Sequence, residues 1–196
     1  MKTIYFDNAA TTKVDEKVLK TMIPYFSEKF GNASSIHEKG REAKNALEKS
    51  RKTIAKSIEA KTNEIYFTSG GTESNNWALK GLFFENKDKG KNHIITTKTE
   101  HDCVLNSCKW LEKQGAEVTY LDVDAEGFVD LEDLKNSICE ETIVVSIIHG
   151  NNEIGVIQDL ESIGKICKDK NVLFHTDACQ SFTKTDLDVD KMNLDL

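Results

Sequence analysis

The chain has 196 residues, 38% of them hydrophobic and 30% charged, and a formal net charge of −7. This length can bury the core of one or two domains, and the composition excludes collagen-like, low-complexity and disordered proteins. The acidic balance argues against a nucleic-acid-binding surface, no apolar run could span a membrane, and the N-terminus resembles no secretory signal. Five cysteines occur without a CxxC pair or the spacing of zinc ligands, so we expect free thiols, no metal site and a cytoplasmic location.

Short apolar runs alternate with amphipathic patterns after an N-terminal arm at residues 1–14. The amphipathic patterns predict helices over Asp15–Glu28, His37–Glu59, Glu73–Asn86, Cys103–Gln114, Leu131–Ser137 and Leu160–Asp169. The apolar runs predict strands over Glu64–Thr68, His93–Thr97, Glu117–Leu121, Thr142–Ile147 and Val172–His175. Because strands and helices alternate with connections of crossover length, we expect an α/β fold with a mostly parallel sheet and flanking helices.

Polar residues follow the first predicted strand at the point where a helix begins. Gly70 and Gly71 would let backbone amides approach a ligand closely, and Thr72 adds a hydroxyl group. Together with the positive end of the helix, they favour an anion cradle suited to a phosphate. A plain helix cap by Ser69 or Thr72, with Glu73 in the first turn, explains the same residues and stays open.

Further polar residues follow the later strands: His101, Asn151 and Asn152, and finally Asp177 and Gln180. Each alone has an ordinary explanation as a structural histidine, a turn or a capping residue. Ligands of parallel sheets bind at the carboxyl ends of the strands, where these residues would meet the anion cradle. A phosphate cradle, an imidazole, amides and a carboxylate at one edge fit pyridoxal phosphate (PLP), whose electron-sink role requires a protonated ring nitrogen.

With these segments in place, the sequence resembles cysteine desulfurases of the NifS/IscS type, in the class-V branch of fold-type I PLP-dependent enzymes. Six segments in family order carry the resemblance: Tyr5–Thr12, Phe30–His37, Phe67–Asn76, Thr99–His101, Asn151–Gly155 and His175–Ser181. Two departures are small, because Ala33 stands where proline is usual and Gly150 stands where a larger residue is common.

The resemblance implies roles for the residues that hold the cofactor. Gly71 and Thr72 would bind the phosphate of PLP, and Asp177 would pair with its ring nitrogen. His101 would stack on the ring and serve as a catalytic proton carrier. Gln180 would hydrogen-bond near the 3-hydroxyl group of the ring.

The resemblance also implies a substrate and a reaction. Asn152 would bind both the cofactor and the substrate, while Asn8, Ala9 and Ala10 would lie near the substrate. The implied reaction converts L-cysteine to L-alanine and leaves a persulfide on an enzyme cysteine. The sulfur would then pass to an iron–sulfur scaffold or another sulfur-acceptor protein, and the enzyme would be a homodimer.

The Schiff-base lysine and the sulfur-accepting cysteine of that family lie beyond a segment like Asp188–Leu196. We therefore expect residues 15–196 to form an incomplete PLP-binding large domain that lacks its last strands and is inactive alone. The strand at Glu64–Thr68 would lack its neighbour, and the sheet edge at Val172–His175 would be unpaired. Cys179 matches no acceptor position and is expected to be structural.

Two alternatives to a desulfurase remain open. One is a related class-V enzyme, such as a selenocysteine lyase or an aminotransferase. The other is a non-catalytic fragment that binds PLP or a partner protein. The products formed from cysteine and from selenocysteine would separate the enzymes from each other, and the non-catalytic fragment predicts a native chain that stops after Leu196.

Overall fold

Four parallel strands form the central sheet in a computed structural model that describes residues 3–196. The strands are β1 (His93–Thr97), β2 (Glu117–Leu121), β3 (Thr142–Ser146) and β4 (Leu173–His175). Their order across the sheet is β2-β1-β3-β4, and all three neighbouring pairs are parallel. The expected α/β class and parallel sheet are therefore confirmed, and the carboxyl ends of all four strands share one edge.

Seven α-helices accompany the sheet in residues 3–196. They are α1 (Glu16–Met22), α2 (Pro24–Ser27), α3 (Glu38–Ser57), α4 (Gly71–Asn86), α5 (Asp102–Glu112), α6 (Leu131–Ser137) and α7 (Leu160–Asp169). The single helix predicted over Asp15–Glu28 is divided at Ile23, because Pro24 begins a new helix. Proline lacks the amide hydrogen that a helix interior requires, and it is favoured at the first helical position.

The sheet separates two hydrophobic clusters. On one face, Ile94 and Val144 pack with residues of α4 and α5, including Phe83. On the other face, Ile95 and Val145 pack with residues of α6 and α7. Successive side chains of a strand point to opposite faces, so a strand covered on both sides is apolar throughout. This double burial explains why consecutive apolar residues occupy the middle of β1, at Ile94 and Ile95, and the middle of β3, at residues 143–145.

The strand predicted over Glu64–Thr68 is wrong. Thr62–Glu64 form a short 3₁₀ helix, and residues 65–68 join no ladder among the described residues. The backbone of Ile65 is extended, with φ −92° and ψ 125°. The residue types of the segment Glu64–Thr68 favour a strand. A strand also needs a neighbouring strand that pairs with its backbone groups.

The outer edge of β4 is paired, contrary to expectation. The Leu196 amide donates to the Phe174 carbonyl (3.2 Å), and the Thr176 amide donates to the Leu196 carbonyl (3.1 Å). These two bonds form the pattern of a parallel pairing between His175 and Leu196. In addition, a side-chain oxygen of Asp195 accepts from the Phe174 amide at 2.9 Å. The last two residues of the chain therefore cover the edge that was expected to be unpaired.

The chain divides into two compact units between Tyr66 and Phe67. The first unit holds α1, α2 and α3, and the second holds the whole sheet with α4 to α7. The first two residues of the predicted arm lie outside the described residues. No helix in residues 3–196 is both long and apolar enough to cross a membrane.

Candidate active site

Asp177 lies directly beyond β4, and its side chain is buried (5% exposed). Its Oδ2 accepts a hydrogen bond from Asn75 Nδ2 at 2.7 Å, and its Oδ1 accepts from the backbone amide of Cys179 at 2.9 Å. A buried carboxylate is costly unless such donors replace water. Each carboxylate oxygen can accept a further bond, so Asp177 keeps the capacity to bind a cationic donor.

The thiol of Cys103 lies between Asp177 and His101. Its Sγ is 3.1 Å from Asn75 Nδ2, 3.0 Å from His101 Nδ1 and 3.9 Å from Asp177 Oδ2. Burial raises the pKa of Cys103, and the negative charge of Asp177 raises it further. Cys103 is therefore a neutral thiol in this cluster, not an activated nucleophile.

His101 is the N-cap residue of α5 and is exposed. Its Nδ1 accepts a hydrogen bond from the backbone amide of Cys103 at 3.2 Å, which caps the helix. Because Nδ1 is an acceptor, the proton of the neutral ring resides on Nε2. The hydrogen bond to Nδ1 therefore orients the imidazole ring of His101, and Nε2 is the atom that carries the proton.

The start of α4 lies beside the segment after β4. A Cβ atom at Gly71 would come within 2.5 Å of Cys179 Sγ, so a larger residue at this position requires the Cys179 side chain to move. Cys179 is exposed, but partial desolvation of its thiol, aided by Asp177, raises its pKa to about 12. Thr72 is exposed on the first turn of α4.

The alternative of a plain side-chain cap at α4 is wrong. The N-cap residue is Gly70, and none of the described side chains caps the first turn. Ser69 instead donates from both its amide and its hydroxyl to Glu73 Oε2, each at 2.6 Å. The positive end of α4 therefore lacks a side-chain acceptor, as an anion site requires.

The loop after β3 is fastened to the loop after β1. Asn151 Nδ2 donates to the carbonyl of Thr99 at 2.8 Å, while its Oδ1 accepts the amides of Glu153 and Ile154. Asn151 is thus an anchor of the loop, and the adjacent Asn152 is half-buried. Gln180 is also half-buried, between Cys179 and the buried Ser181.

Several contacts at this edge escaped the sequence analysis. Asn75 and Cys103 contact Asp177, and Glu100 is buried beside the ends of β1 and β3. Asn75 occurred in a recognised motif, but nothing local to it indicated a partner 102 residues away. Glu100 preceded the recognised His101, and its burial could not be read from its residue type, which is usually exposed.

The other predicted residues, Asn8, Ala9 and Ala10, belong to the first unit, where residues 8–10 form an exposed turn. The amide of Ala10 donates to Oδ1 of Asp7 at 3.4 Å within this turn. Their expected contact with a substrate stays a prediction.

The donor set fits PLP, the cofactor that the resemblance implies. An uncapped helix start supplies amides for a phosphate, and Asp177 supplies a buried carboxylate for a protonated ring nitrogen. His101 supplies an exposed imidazole beside this cluster through its contact with Cys103. All three groups belong to the second unit.

Comparisons with known proteins identify relatives of this chain. The chain is 51% identical over 195 residues to a cysteine desulfurase IscS of Clostridium botulinum (strain Kyoto / Type A2), covering 100% of this chain and 49% of that protein. It is 53% identical over 195 residues to a cysteine desulfurase IscS of Methanosarcina thermophila, covering 100% of this chain and 48% of that protein. The chain thus spans about half the length of the curated relatives that it matches.

Solved structures share the fold. A structure described as SspA in complex with cysteine superposes with a TM-score of 0.95 at 44% identity, over 98% of this chain and 55% of that one. A NifS-like protein superposes with a TM-score of 0.93 at 44% identity, over 98% of this chain and 53% of that one. Residues 4–196 match the family model described as aminotransferase class-V. The two relatives described above are both named cysteine desulfurases, and the chain belongs to the class-V aminotransferase family.

Proposed function

We propose that this chain forms the cofactor-holding part of a PLP-dependent cysteine desulfurase. The observation that carries the proposal is the buried carboxylate of Asp177, held by Asn75 and by the Cys179 amide at the carboxyl edge of the sheet. A buried anion at the end of a strand favours a cationic ligand group. The names of the relatives support the desulfurase reaction over other class-V chemistry.

Asp177 pairs with the ring nitrogen of PLP and keeps it protonated. PLP, when bound, draws electrons from the substrate carbons next to the attached nitrogen. The hydrogen bonds from Asn75 and the Cys179 amide hold the carboxylate in one orientation, so it needs no rearrangement to receive the ring. The neutral thiol of Cys103 adds no competing charge.

The backbone amides of Gly71 and Thr72, together with the Thr72 hydroxyl, bind the phosphate. The absence of a side-chain cap on the first turn of α4, among the described residues, supports this role. The uncapped N–H groups and the helix dipole both favour a dianion at this position. Glu73 does not compete, because Ser69 engages its carboxylate with two hydrogen bonds.

His101 stacks on the ring and moves protons from its Nε2 atom. The bond that its Nδ1 accepts from Cys103 orients the imidazole and supports this assignment. Asn152 and Gln180 hydrogen-bond near the ring hydroxyl, and Asn152 also meets the substrate carboxylate. For Asn8, Ala9 and Ala10 we propose a role in binding the substrate.

The proposed substrate is L-cysteine. L-Cysteine and an acceptor thiol become L-alanine and a persulfide, so a C–S bond breaks, an S–S bond forms, and no external oxidant is consumed. The acceptor thiol belongs to the whole enzyme and to none of the five cysteines described here. The raised pKa values of Cys103 and Cys179 support this, because a protonated thiol is a poor nucleophile.

The proposed enzyme acts as a homodimer in the cytoplasm. It delivers sulfur to an iron–sulfur scaffold or another sulfur-acceptor protein. All five cysteines are free thiols, which supports a reducing compartment.

PLP binding by this chain tests the cofactor assignment. We expect a titration followed by absorbance and induced circular dichroism to show saturable binding that inorganic phosphate weakens. Asp177→Asn keeps the side-chain shape but removes the charge, so PLP affinity should fall at least about tenfold. Asp122→Asn, an exposed aspartate after β2, is the matched control. Equal PLP affinity for the wild type and Asp177→Asn would refute the role of Asp177.

Product analysis with the whole enzyme tests the reaction. Alanine formed from L-cysteine in equal amount to transferred sulfur supports the desulfurase. Activity confined to selenocysteine, or amino transfer to an oxo acid, would instead establish a related class-V enzyme. Bound PLP without any product would establish the non-catalytic alternative.

A further inference from the structure

The carboxyl group of Glu100 is buried at the junction of β1 and β3, outside the set of groups that contact the cofactor in the proposed function. Glu100 is 6% exposed, and its Oε1 accepts two hydrogen bonds of 2.8 Å each. One donor is the Thr97 hydroxyl at the end of β1, and the other is the Ile148 amide just beyond β3. A single oxygen atom therefore joins the ends of two neighbouring strands.

The contacts continue from this junction to the groups proposed to hold PLP. Glu100 immediately precedes His101, the N-cap residue of α5. Ile148 precedes His149, whose amide donates to the backbone carbonyl of Asp177 at 3.0 Å. The loop that Ile148 opens also contains Asn152.

We propose that Glu100 is a positioning residue of the cofactor site, whose carboxyl oxygen fixes the spacing between His101, Asn152 and Asp177. The inference rests on the proposed function for the identity of the ligand, and on the hydrogen bonds for the positioning itself. The second bond between the loops, from Asn151 to Thr99, restrains the loop at a point further from β3.

The surroundings of Glu100 favour its neutral form. Its second oxygen, Oε2, is buried and has no hydrogen-bond partner among the described residues. Burial raises the pKa of Glu100 to about 8, and the nearby carboxylate of Asp177 also raises it. The titratable groups that interact with it include Cys108 on α5, whose own pKa is raised by burial. A neutral carboxyl leaves the charge of Asp177 as the anion available to the ring nitrogen.

Two substitutions separate positioning from charge. Glu100→Gln keeps the accepting oxygen in a neutral side chain and should retain wild-type PLP affinity and induced circular dichroism. Glu100→Met keeps the volume but removes the acceptor, so we expect about tenfold weaker PLP binding and an altered induced circular dichroism band. Glu126→Met, at an exposed loop position, is the control for the substitution itself.

Hydrogen exchange of the cofactor-free chain supplies a readout that does not depend on PLP. Glu100→Met should speed amide exchange at residues 147–152, whereas Glu100→Gln should not. If Glu100→Met does not fold, Thr97→Val removes one of the two donors and should produce a smaller change of the same kind.

The outcomes are distinct. If the wild type does not bind PLP, the proposed function fails, and exchange at residues 147–152 still decides whether Glu100 positions the loop. If Glu100→Met matches the wild type in exchange and in the spectrum of bound PLP, the positioning role is overturned. It is also overturned if Glu100→Gln loses PLP binding as Glu100→Met does.

Discussion

Asn75 on α4 donates a 2.7 Å hydrogen bond to Oδ2 of Asp177, 102 residues later in the chain. The bond joins the helix that begins at the anion cradle to the segment that follows β4. Both side chains are buried, at 4% and 5% exposure, so water cannot replace the bond if it is lost. The orientation of the key carboxylate thus depends on packing between distant elements.

Asn75→Ala should destabilise the fold, because it leaves the buried Asp177 carboxylate without one donor. A hydrogen bond to a charged group contributes about 1.5–3 kcal/mol, and we expect a loss of this size in the free energy of unfolding. Urea unfolding measures it. Asn86→Ala, at the end of the same helix, is the matched control and should cost about 0.5 kcal/mol or less, since the Asn86 side chain donates to the carbonyl of Leu82 and to no charged group among the described residues. Equal losses in both variants would contradict the special role of Asn75.

Gly71→Ala should destabilise the fold by about 1–3 kcal/mol, because its Cβ would overlap Cys179 Sγ. Gly70→Ala is the control, since a Cβ there would meet nothing within 4 Å. Removing the sulfur in Gly71→Ala/Cys179→Ala should restore much of the loss. Thermal unfolding of the wild type, of Gly70→Ala, Gly71→Ala and Cys179→Ala, and of the double variant would reveal this. An additive double variant would show that the two residues do not interact.

Gly164→Ala should prevent stable folding or cost more than about 3 kcal/mol, because the new Cβ would overlap the Met192 carbonyl oxygen. Gly164 lies on α7, and the segment that follows Met192 includes the two residues that pair with β4. In contrast, Gly81→Ala on α4 should be neutral or stabilising by up to about 1 kcal/mol, since its Cβ would make an ordinary 3.8 Å contact with Trp77. Expression and thermal unfolding compare the two. A Gly164→Ala variant as stable as Gly81→Ala would show that the Met192 carbonyl can move away from α7 without a cost in stability.

The stability of the wild type relative to Glu100→Gln should depend on pH. The pKa of Glu100 rises from 4.5 to about 8 in the fold because the side chain is buried. The contribution of its neutral form is therefore complete below pH 4.5 and is lost as the pH rises towards 8.

Urea unfolding of both proteins from about pH 4 to about pH 9 measures this difference. Burial of His175 lowers its pKa to about 4 and acts in the opposite direction, since stability from that residue is lost as the pH falls. His175 is present in both proteins, so its effect cancels. Parallel stability curves would show that Glu100 titrates normally.

Local patterns in the sequence predicted the regular elements well. The bounds of β1, β2, α6 and α7 agree with those expected from apolar runs and helical spacing. Both faces of β1 are buried, and four of its five residues are isoleucine or threonine. These β-branched residue types indicate a strand. The segment Glu64–Thr68 has a similar composition but forms no ladder in residues 3–196, because pairing requires a neighbour that composition does not supply.

By itself, the sequence determined the class of fold, the order of the motifs and the family. These properties follow from residue types and short spacings, which act along a few turns or strand residues. Only the tertiary structure decided that Asn75 and the Cys179 amide orient Asp177, that Cys179 Sγ lies against Gly71, and that Glu100 joins β1 to the loop after β3. Such contacts depend on the register of the strands and the packing of helices upon them, which bring together residues far apart in the chain.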